Sequence, residues 1–276
     1  LKRIGLLAGS LRAESYARKV VRNLGLLVPN TVLVEPISID HLPLLSDRLS
    51  EQEQAACRDF KDQIQRMDGF CLVTPEINRG IPGCLKNALD MASVSDTGSL
   101  WAQKPVVIVS VSTGELGGLS ASQQLKQLAL VLGMQPVQPT ELYLSCVQEL
   151  FDEHALLTDE TVLPLLRSAM MNLSAAAEQI TTDKMEALTF KIGADKLCLM
   201  EDNQSVAQAT FEWSTGLLVI QSITVDPAQQ HQGFASQLML KLIMMARLFH
   251  LRIVAGCSYS QWFFKEHPAI QKALCL

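Results

Sequence analysis

A chain of 276 residues with 48% hydrophobic and 18% charged side chains can bury substantial cores and is unlike a disordered sequence. A net charge of −5 and an aromatic content of 5% argue against a general nucleic-acid binder, which needs surplus Lys and Arg for phosphates and ring faces for bases. Seven cysteines, at positions 57, 71, 84, 146, 198, 257 and 275, form no CxxC pair and predict reduced thiols in a cytoplasmic protein, while Lys241, Arg247 and His250 interrupt the longest apolar run and predict no membrane span.

Arg3 to Ala8 predicts a buried strand, because its apolar run is too short for a signal peptide and is broken by Gly9, Ser10 and Arg12. Ser15 is placed to cap a helix with Val20, Val21, Leu24 and Leu27 on its apolar face. A glycine, small hydroxyls and an arginine before a helix suit a phosphate, since free amides and the helix dipole favour an anion and a guanidinium can bond two of its oxygens. Neither GxGxxG nor a Walker loop is present here, so the expected ligand is a mononucleotide.

Thr31 to Ile39 predicts a second strand, with His41 in the surface loop that follows, and Glu51 to Met67 predicts a helix. A third strand from Gly69 stops at Thr74-Pro75-Glu76-Ile77-Asn78-Arg79-Gly80-Ile81-Pro82-Gly83. Two prolines fix φ in that loop, and Gly80 and Gly83 are expected to permit unusual dihedrals or close approaches. Leu85, Ala88, Leu89 and Ala92 then mark one face of a helix. Pro105 to Ser112 predicts a fourth, fully buried strand ending in the glycine-rich Thr113-Gly114-Glu115-Leu116-Gly117-Gly118, followed by a helix over Leu119 to Leu132. A fifth strand is expected over Gln135 to Leu144 and a closing helix over Thr158 to Ile180. The alternation predicts an α/β fold, a doubly wound parallel five-stranded sheet of order 2-1-3-4-5 that binds its ligand at the carboxyl ends of the strands.

The stretch TPEINRGIPGCLKNALD resembles the TPEYN-x-G-IPG-x-LKNALD signature of the NAD(P)H-dependent FMN reductases, a flavodoxin-like family, and GSLRAES resembles its phosphate loop. The resemblance covers residues 3 to roughly 180. It implies that Gly9, Ser10, Arg12 and Ser15 hold the FMN phosphate. It also puts Pro75, Glu76, Ile77 and Asn78 along the isoalloxazine and Ser112, Thr113, Gly114, Gly117 and Gly118 at the ring edge. Ile77 stands where the family usually has Tyr, and Ala17 where it often has Asn. The implied activity is hydride transfer from NAD(P)H through FMN to flavin, quinone, azo or metal-ion acceptors. No side chain acts as acid or base and no metal is required. Family members are commonly dimers or tetramers, so the resemblance implies a homo-oligomer.

After the polar junction Thr181-Thr182-Asp183-Lys184 the pattern changes to consecutive strands, Leu188 to Ile192, Lys196 to Met200, Val206 to Trp213 and Leu217 to Val225, an expected antiparallel meander. A helix over Ala235 to Phe249 and a strand over Leu251 to Ala255 follow. The division expected is 1–180 and 184–276. Val225-Asp226-Pro227 through Ala235, with Cys257-Ser258-Tyr259 and Phe264 to Pro268, resembles a short branch of the GNAT N-acetyltransferases, which makes the second part a small α+β domain. That resemblance implies acetyl-CoA contacts at Gln230, Gly233 and Ala235 and singles out Cys257. Gln230 replaces an arginine and His231 a glycine, so weak acetyl-CoA binding is expected. Two other functions fit the same pattern: an acetyltransferase with a flavin-binding sensor module, or a non-enzymatic flavodoxin-like electron carrier.

Overall fold

The computed structural model describes residues 1–96, 98–178, 189–201, 204–230 and 232–275. Positions 181–184, 188 and 231, on which the junction, a strand start and part of the GNAT-like loop were expected, lie outside them.

The first sheet contains β1 (Lys2–Ala8), β2 (Val32–Ile37), β3 (Gly69–Pro75) and β4 (Pro105–Val111), with β5 (Gln135–Pro136) and β6 (Tyr143–Leu144) both paired to β4. All pairings are parallel and the order begins β2-β1-β3-β4, as the alternation predicted. The single fifth strand is a correction. Gln135 pairs with Pro105 at one end of β4 and Tyr143 with Ser110 at the other. Pro136 and Pro139 have no amide hydrogen to donate, so the ladder breaks between them and Tyr143.

Helices α1 (Tyr16–Leu26) and α5 (Val162–Glu178) cover one face of this sheet, and α2 (Glu51–Arg66), α3 (Gly83–Met91) and α4 (Leu119–Val131) cover the other. Leu27, expected on the apolar face of α1, is its C-cap and only partly buried. Helix α5 starts later than expected because the Asp159 carboxylate accepts from the amides of Thr161 and Val162, at 2.9 and 2.8 Å, and caps the chain there.

The second sheet has the order β11-β10-β9-β8-β7. Its β7 (Thr189–Ile192), β8 (Lys196–Glu201), β9 (Gln204–Ser214) and β10 (Leu217–Val225) form the expected meander, and β11 (Arg252–Ala255) joins β10 in parallel after α6 (Phe234–Leu248). The chain ends in α7 (Ser258–Glu266) and α8 (Pro268–Leu274).

The two sheets share one core. Leu6, Leu24 and Val28 of the first part belong to the same buried cluster as Leu242, Met245 and Leu248 of α6. Gly25 lets α1 and α6 meet: a Cβ there would stand 2.7 Å from Cδ1 of Leu248 and 2.9 Å from Cδ1 of Leu6. Polar ties cross the same boundary. Lys241 Nζ donates to the Val28 carbonyl at 2.5 Å, Asn30 Nδ2 donates to the Gln237 carbonyl at 3.0 Å, and His154 stacks on Trp213 with ring centroids 5.2 Å apart.

Candidate functional site

The β1 strand ends at Ala8, and Gly9 donates its amide to the Val73 carbonyl at 2.7 Å, which fixes the start of the loop between β1 and α1 against β3. Ser15 caps α1 by accepting from the Arg18 amide, and Ser10 Oγ accepts from the Arg12 amide, both at 3.3 Å. Ser10 and Ser15 are buried, whereas Arg12 is exposed and its guanidinium has no partner among the described residues. A second arginine holds the loop in place. Arg18 donates from Nε to the Ser10 carbonyl at 3.0 Å and pairs with Asp40 after β2.

The loop after β3 is a tight hairpin. Ile77 and Gly80 exchange backbone hydrogen bonds of 2.9 and 3.0 Å, and the residues between them, Asn78 and Arg79, have φ of 48° and 67°. The left-handed dihedrals expected of the glycines therefore fall on Asn78 and Arg79. Gly80 serves a close approach instead, since a Cβ there would stand 3.0 Å from Oε1 of Gln124, while Gly83 simply opens α3 with free space around it. Glu76 turns toward α4: its Oε2 accepts from the Ala121 amide and its Oε1 from Arg79, each at 3.1 Å. That carboxylate meets the positive end of the α4 dipole and ties the β3 loop to the β4 loop. Gln124 adds a second tie by accepting from the Ile81 amide at 2.8 Å.

After β4, Ser112 Oγ accepts from the Gly114 amide at 3.1 Å, and Gly117 and Gly118 adopt φ of 57° and 78° to turn the chain into α4. A fourth segment completes the site, because Val147 donates to the Ser112 carbonyl at 3.0 Å and Cys146 to the Gly114 carbonyl at 3.3 Å.

These loops enclose a cleft of about 360 Å³ at the carboxyl ends of β1, β3 and β4. Of the residues expected at the cofactor, Ser10, Arg12, Ser15, Pro75, Glu76, Ile77, Ser112 and Thr113 line it. Gly9, Gly114, Gly117 and Gly118 belong to the same loops but are not in its lining, and Asn78, exposed at the hairpin tip, is not either. Ala17, at the position where the resembling family often has Asn, also lines it, as do Glu14, Tyr16, Val111 and Val147, which had not been singled out as site residues. The spacing of Tyr16 after the Ser15 cap could have marked it. Val147 could not be found, since its position depends on the break in the fifth strand. The cleft fits a flavin mononucleotide: hydroxyls, a free guanidinium and a helix N-terminus stand at one end, and proline, an exposed isoleucine and small hydroxyl residues at the other.

In the second domain Gly233 has φ of 80° and begins α6, Ala235 lies in its first turn, and Gln230 precedes it in extended backbone. Cys257 is the N-cap of α7, its Sγ accepting from the Ser260 amide at 3.4 Å. Among the described residues no helix is long and apolar enough to cross a membrane, and no three His, Cys, Asp or Glu side chains are grouped to hold a metal.

Comparison with known proteins matches residues 2–149 to the family model "NADPH-dependent FMN reductase" and residues 196–273 to "GCN5-related N-acetyl-transferase". A quinone reductase of Pseudomonas putida is 40% identical over 57% of this chain and 86% of its own length. A 2-hydroxy-1,4-benzoquinone reductase of a Burkholderia species is 32% identical over 63% of this chain and 94% of its own. Among solved structures, the flavoenzyme NAD(P)H:(acceptor) oxidoreductase of Paracoccus denitrificans superposes with a TM-score of 0.58 at 27% identity, covering 67% of this chain and 99% of that one. The chain is an oxidoreductase that belongs to the NADPH-dependent FMN reductase family and carries a GNAT-like domain behind its flavodoxin-like sheet.

Proposed function

We propose that this chain binds FMN in the cleft above β1, β3 and β4 and reduces quinones with NAD(P)H. The observation that carries the reading is the convergence of three loops on one cleft with anion-holding groups at one end and Pro75, Ile77 and the small hydroxyl residues Ser112 and Thr113 at the other. Arg12, Ser10, Ser15 and the first amides of α1 would hold the phosphate; Pro75, Ile77, Ser112 and Thr113 would orient the ring. FMN, when bound, takes a hydride from NAD(P)H and gives it to the acceptor. The chain contributes position: the Glu76 and Gln124 ties fix the two ring loops relative to each other, and the exposed Ile77 leaves one side of the cleft open to donor and acceptor in turn. Quinones are preferred to free flavin, azo compounds or metal ions because two of the related proteins bear quinone names. The protein is proposed to work in the cytoplasm with its seven cysteines as free thiols, and to self-associate as a dimer or tetramer through surfaces such as the exposed Leu130 and Val131 of α4.

Reconstitution with FMN followed by stopped-flow reduction with NADPH and reoxidation by benzoquinone tests this. Saturable flavin binding and rapid reduction support the reading; flavin binding without reduction would make the chain an electron carrier. Arg12→Ala is expected to weaken FMN binding about 10- to 100-fold, since a hydrogen bond to a charged group contributes roughly 1.5–3 kcal/mol, and to leave the fold intact because Arg12 is exposed. Unchanged flavin titration in this variant would remove Arg12 from the site.

The GNAT-like domain is proposed as accessory. Gly233 opens α6 with free space around it, which leaves room for an anion, yet Gln230 supplies no charge. Calorimetry on the full chain is expected to find acetyl-CoA binding weaker than micromolar. A submicromolar dissociation constant, or acetyl transfer to an amine that is lost in Cys257→Ala, would instead make the chain a two-enzyme fusion.

A further inference from the structure

A second cavity of about 360 Å³ lies on the far side of the β1–α1 loop, between the two domains. Its floor is the end of β2 and the face of α1, and its roof is the C-terminal end of α6, with Leu248 and His250. Two arginines line it. Arg18 is engaged by Asp40 and the Ser10 carbonyl. Arg22 is not: it is half-buried and makes no hydrogen bond or ion pair among the described residues, with only the electrostatic influence of Glu14 favouring its charge. A half-buried cation without a partner is a cost that an anionic ligand removes.

His250 adds an independent sign. It follows the C-cap of α6 with φ of 56°, a position where glycine is the usual choice, and its own amide donates to Arg247. The chain accepts that conformation at a residue that lines the cavity. The Arg and Asp residues that line the cavity are Arg18 and Arg22 against Asp40, a net of one positive charge, so a monoanion is matched and a dianion is not. The rest of the wall is apolar, with Val21, Ile37 and Ile39 beside Leu248. Pro36 and Leu248 also line an adjoining groove of about 500 Å³ walled by Val34, Met244 and Ile270, which gives an apolar body somewhere to extend.

We propose that this interdomain trench binds an amphipathic monocarboxylate, its carboxylate held by Arg22 and His250 and its hydrocarbon body lying between β2 and α6. The site is separate from the flavin cleft but one residue away from it: Arg18 bonds the phosphate-loop carbonyl of Ser10 and forms the wall beside Arg22. Neither domain alone contains it, and this gives the fusion a function as a two-sided ligand pocket.

Calorimetric titration of the FMN-loaded full chain with decanoate, decanol and inorganic phosphate tests the proposal. Decanoate is expected to bind saturably, with decanol at least about tenfold weaker and phosphate silent. Arg22→Met is expected to lower decanoate affinity about 10- to 100-fold while flavin binding and NADPH oxidation stay at the parental level. His250→Asn, which tolerates the same backbone, is expected to lower it less. Decanol binding as tightly as decanoate, phosphate binding as tightly as decanoate, no saturable decanoate binding, or parental decanoate affinity in Arg22→Met would each overturn it.

Discussion

Replacing Lys241 by methionine is expected to stabilise the full chain below pH 7 and to flatten its stability-versus-pH profile between about pH 7 and 10. Lys241 lies on α6 with no exposed surface, between the Val28 carbonyl and the ring of Phe190, whose centroid is 4.6 Å from Nζ. Burial, reinforced by the positive charge of Arg167, pushes its ammonium down to about 7. In the unfolded chain the same group holds its proton to near 10.4. Between these values the unfolded state binds more protons than the folded one, so raising the pH favours folding by up to about 1.4 kcal/mol per pH unit, and the whole penalty is present below pH 7. Across the window this is on the order of 5 kcal/mol, against which methionine forfeits one hydrogen bond of about 1 kcal/mol and fills similar volume. Lys104, brought down to about 8 by burial against the pull of Asp68, acts with the same sign and stays in the variant, so the profile flattens without becoming level. Urea denaturation at pH 6.5 and 9.5 measures both effects. A variant with the parental difference between the two pH values would show that the Lys241 proton plays no part in how the domains dock.

The same residue marks where sequence reading stops. Within an apolar run Lys241 reads only as a charge that forbids a membrane span, and periodicity along α6 cannot say that α1 and the Val28 carbonyl of another domain cover the helix. The first sheet was legible because β1, β3 and β4 are buried on both faces and read as unbroken apolar runs, and because Ser15 and the proline-glycine loop after β3 punctuate the chain where the elements change. The split of the fifth strand was legible in principle, since Pro136 and Pro139 fall inside it, but the apolar residues around them outweighed that signal. The site divides in the same way. Residues whose backbone or hydroxyl lines the cleft were found from their motif. Ties to distant partners were not: Glu76, expected at the cofactor and present in the cleft lining, also accepts from the amide of Ala121, 45 positions away, and Arg18 bonds the Ser10 carbonyl from inside α1. Gly80 and Gly83 were expected to share one role, but glycine alone does not say whether φ, a close neighbour or neither is the reason for it.

Gly118→Val is expected to cost roughly 2–5 kcal/mol of stability and to weaken FMN binding as well. The left-handed region costs an L-residue roughly 1–2 kcal/mol, and Gly118 is held there at φ of 78° as the N-cap of α4. Space is short too. A Cβ would stand 3.0 Å from the Cβ of Ser110 and 3.3 Å from the Val111 carbonyl oxygen, both on β4, which is buried along its whole length and cannot yield, so overpacking adds roughly 1–3 kcal/mol. Gly216 offers the control. Its φ of 71° demands the same conformation, but nothing lies within 4 Å of its Cβ position, so Gly216→Val is expected to show the conformational cost alone. The functional loss follows from what Gly118 anchors. Backing the first turn of α4 away from β4 moves the Ala121 amide that holds Glu76, and through Glu76 the β3 loop moves relative to Ser112 and Thr113. Flavin titration of both variants separates the two consequences: equal destabilisation would mean that β4 yields to the added side chain, and parental FMN affinity in Gly118→Val would mean that the start of α4 does not set the spacing of the two ring loops.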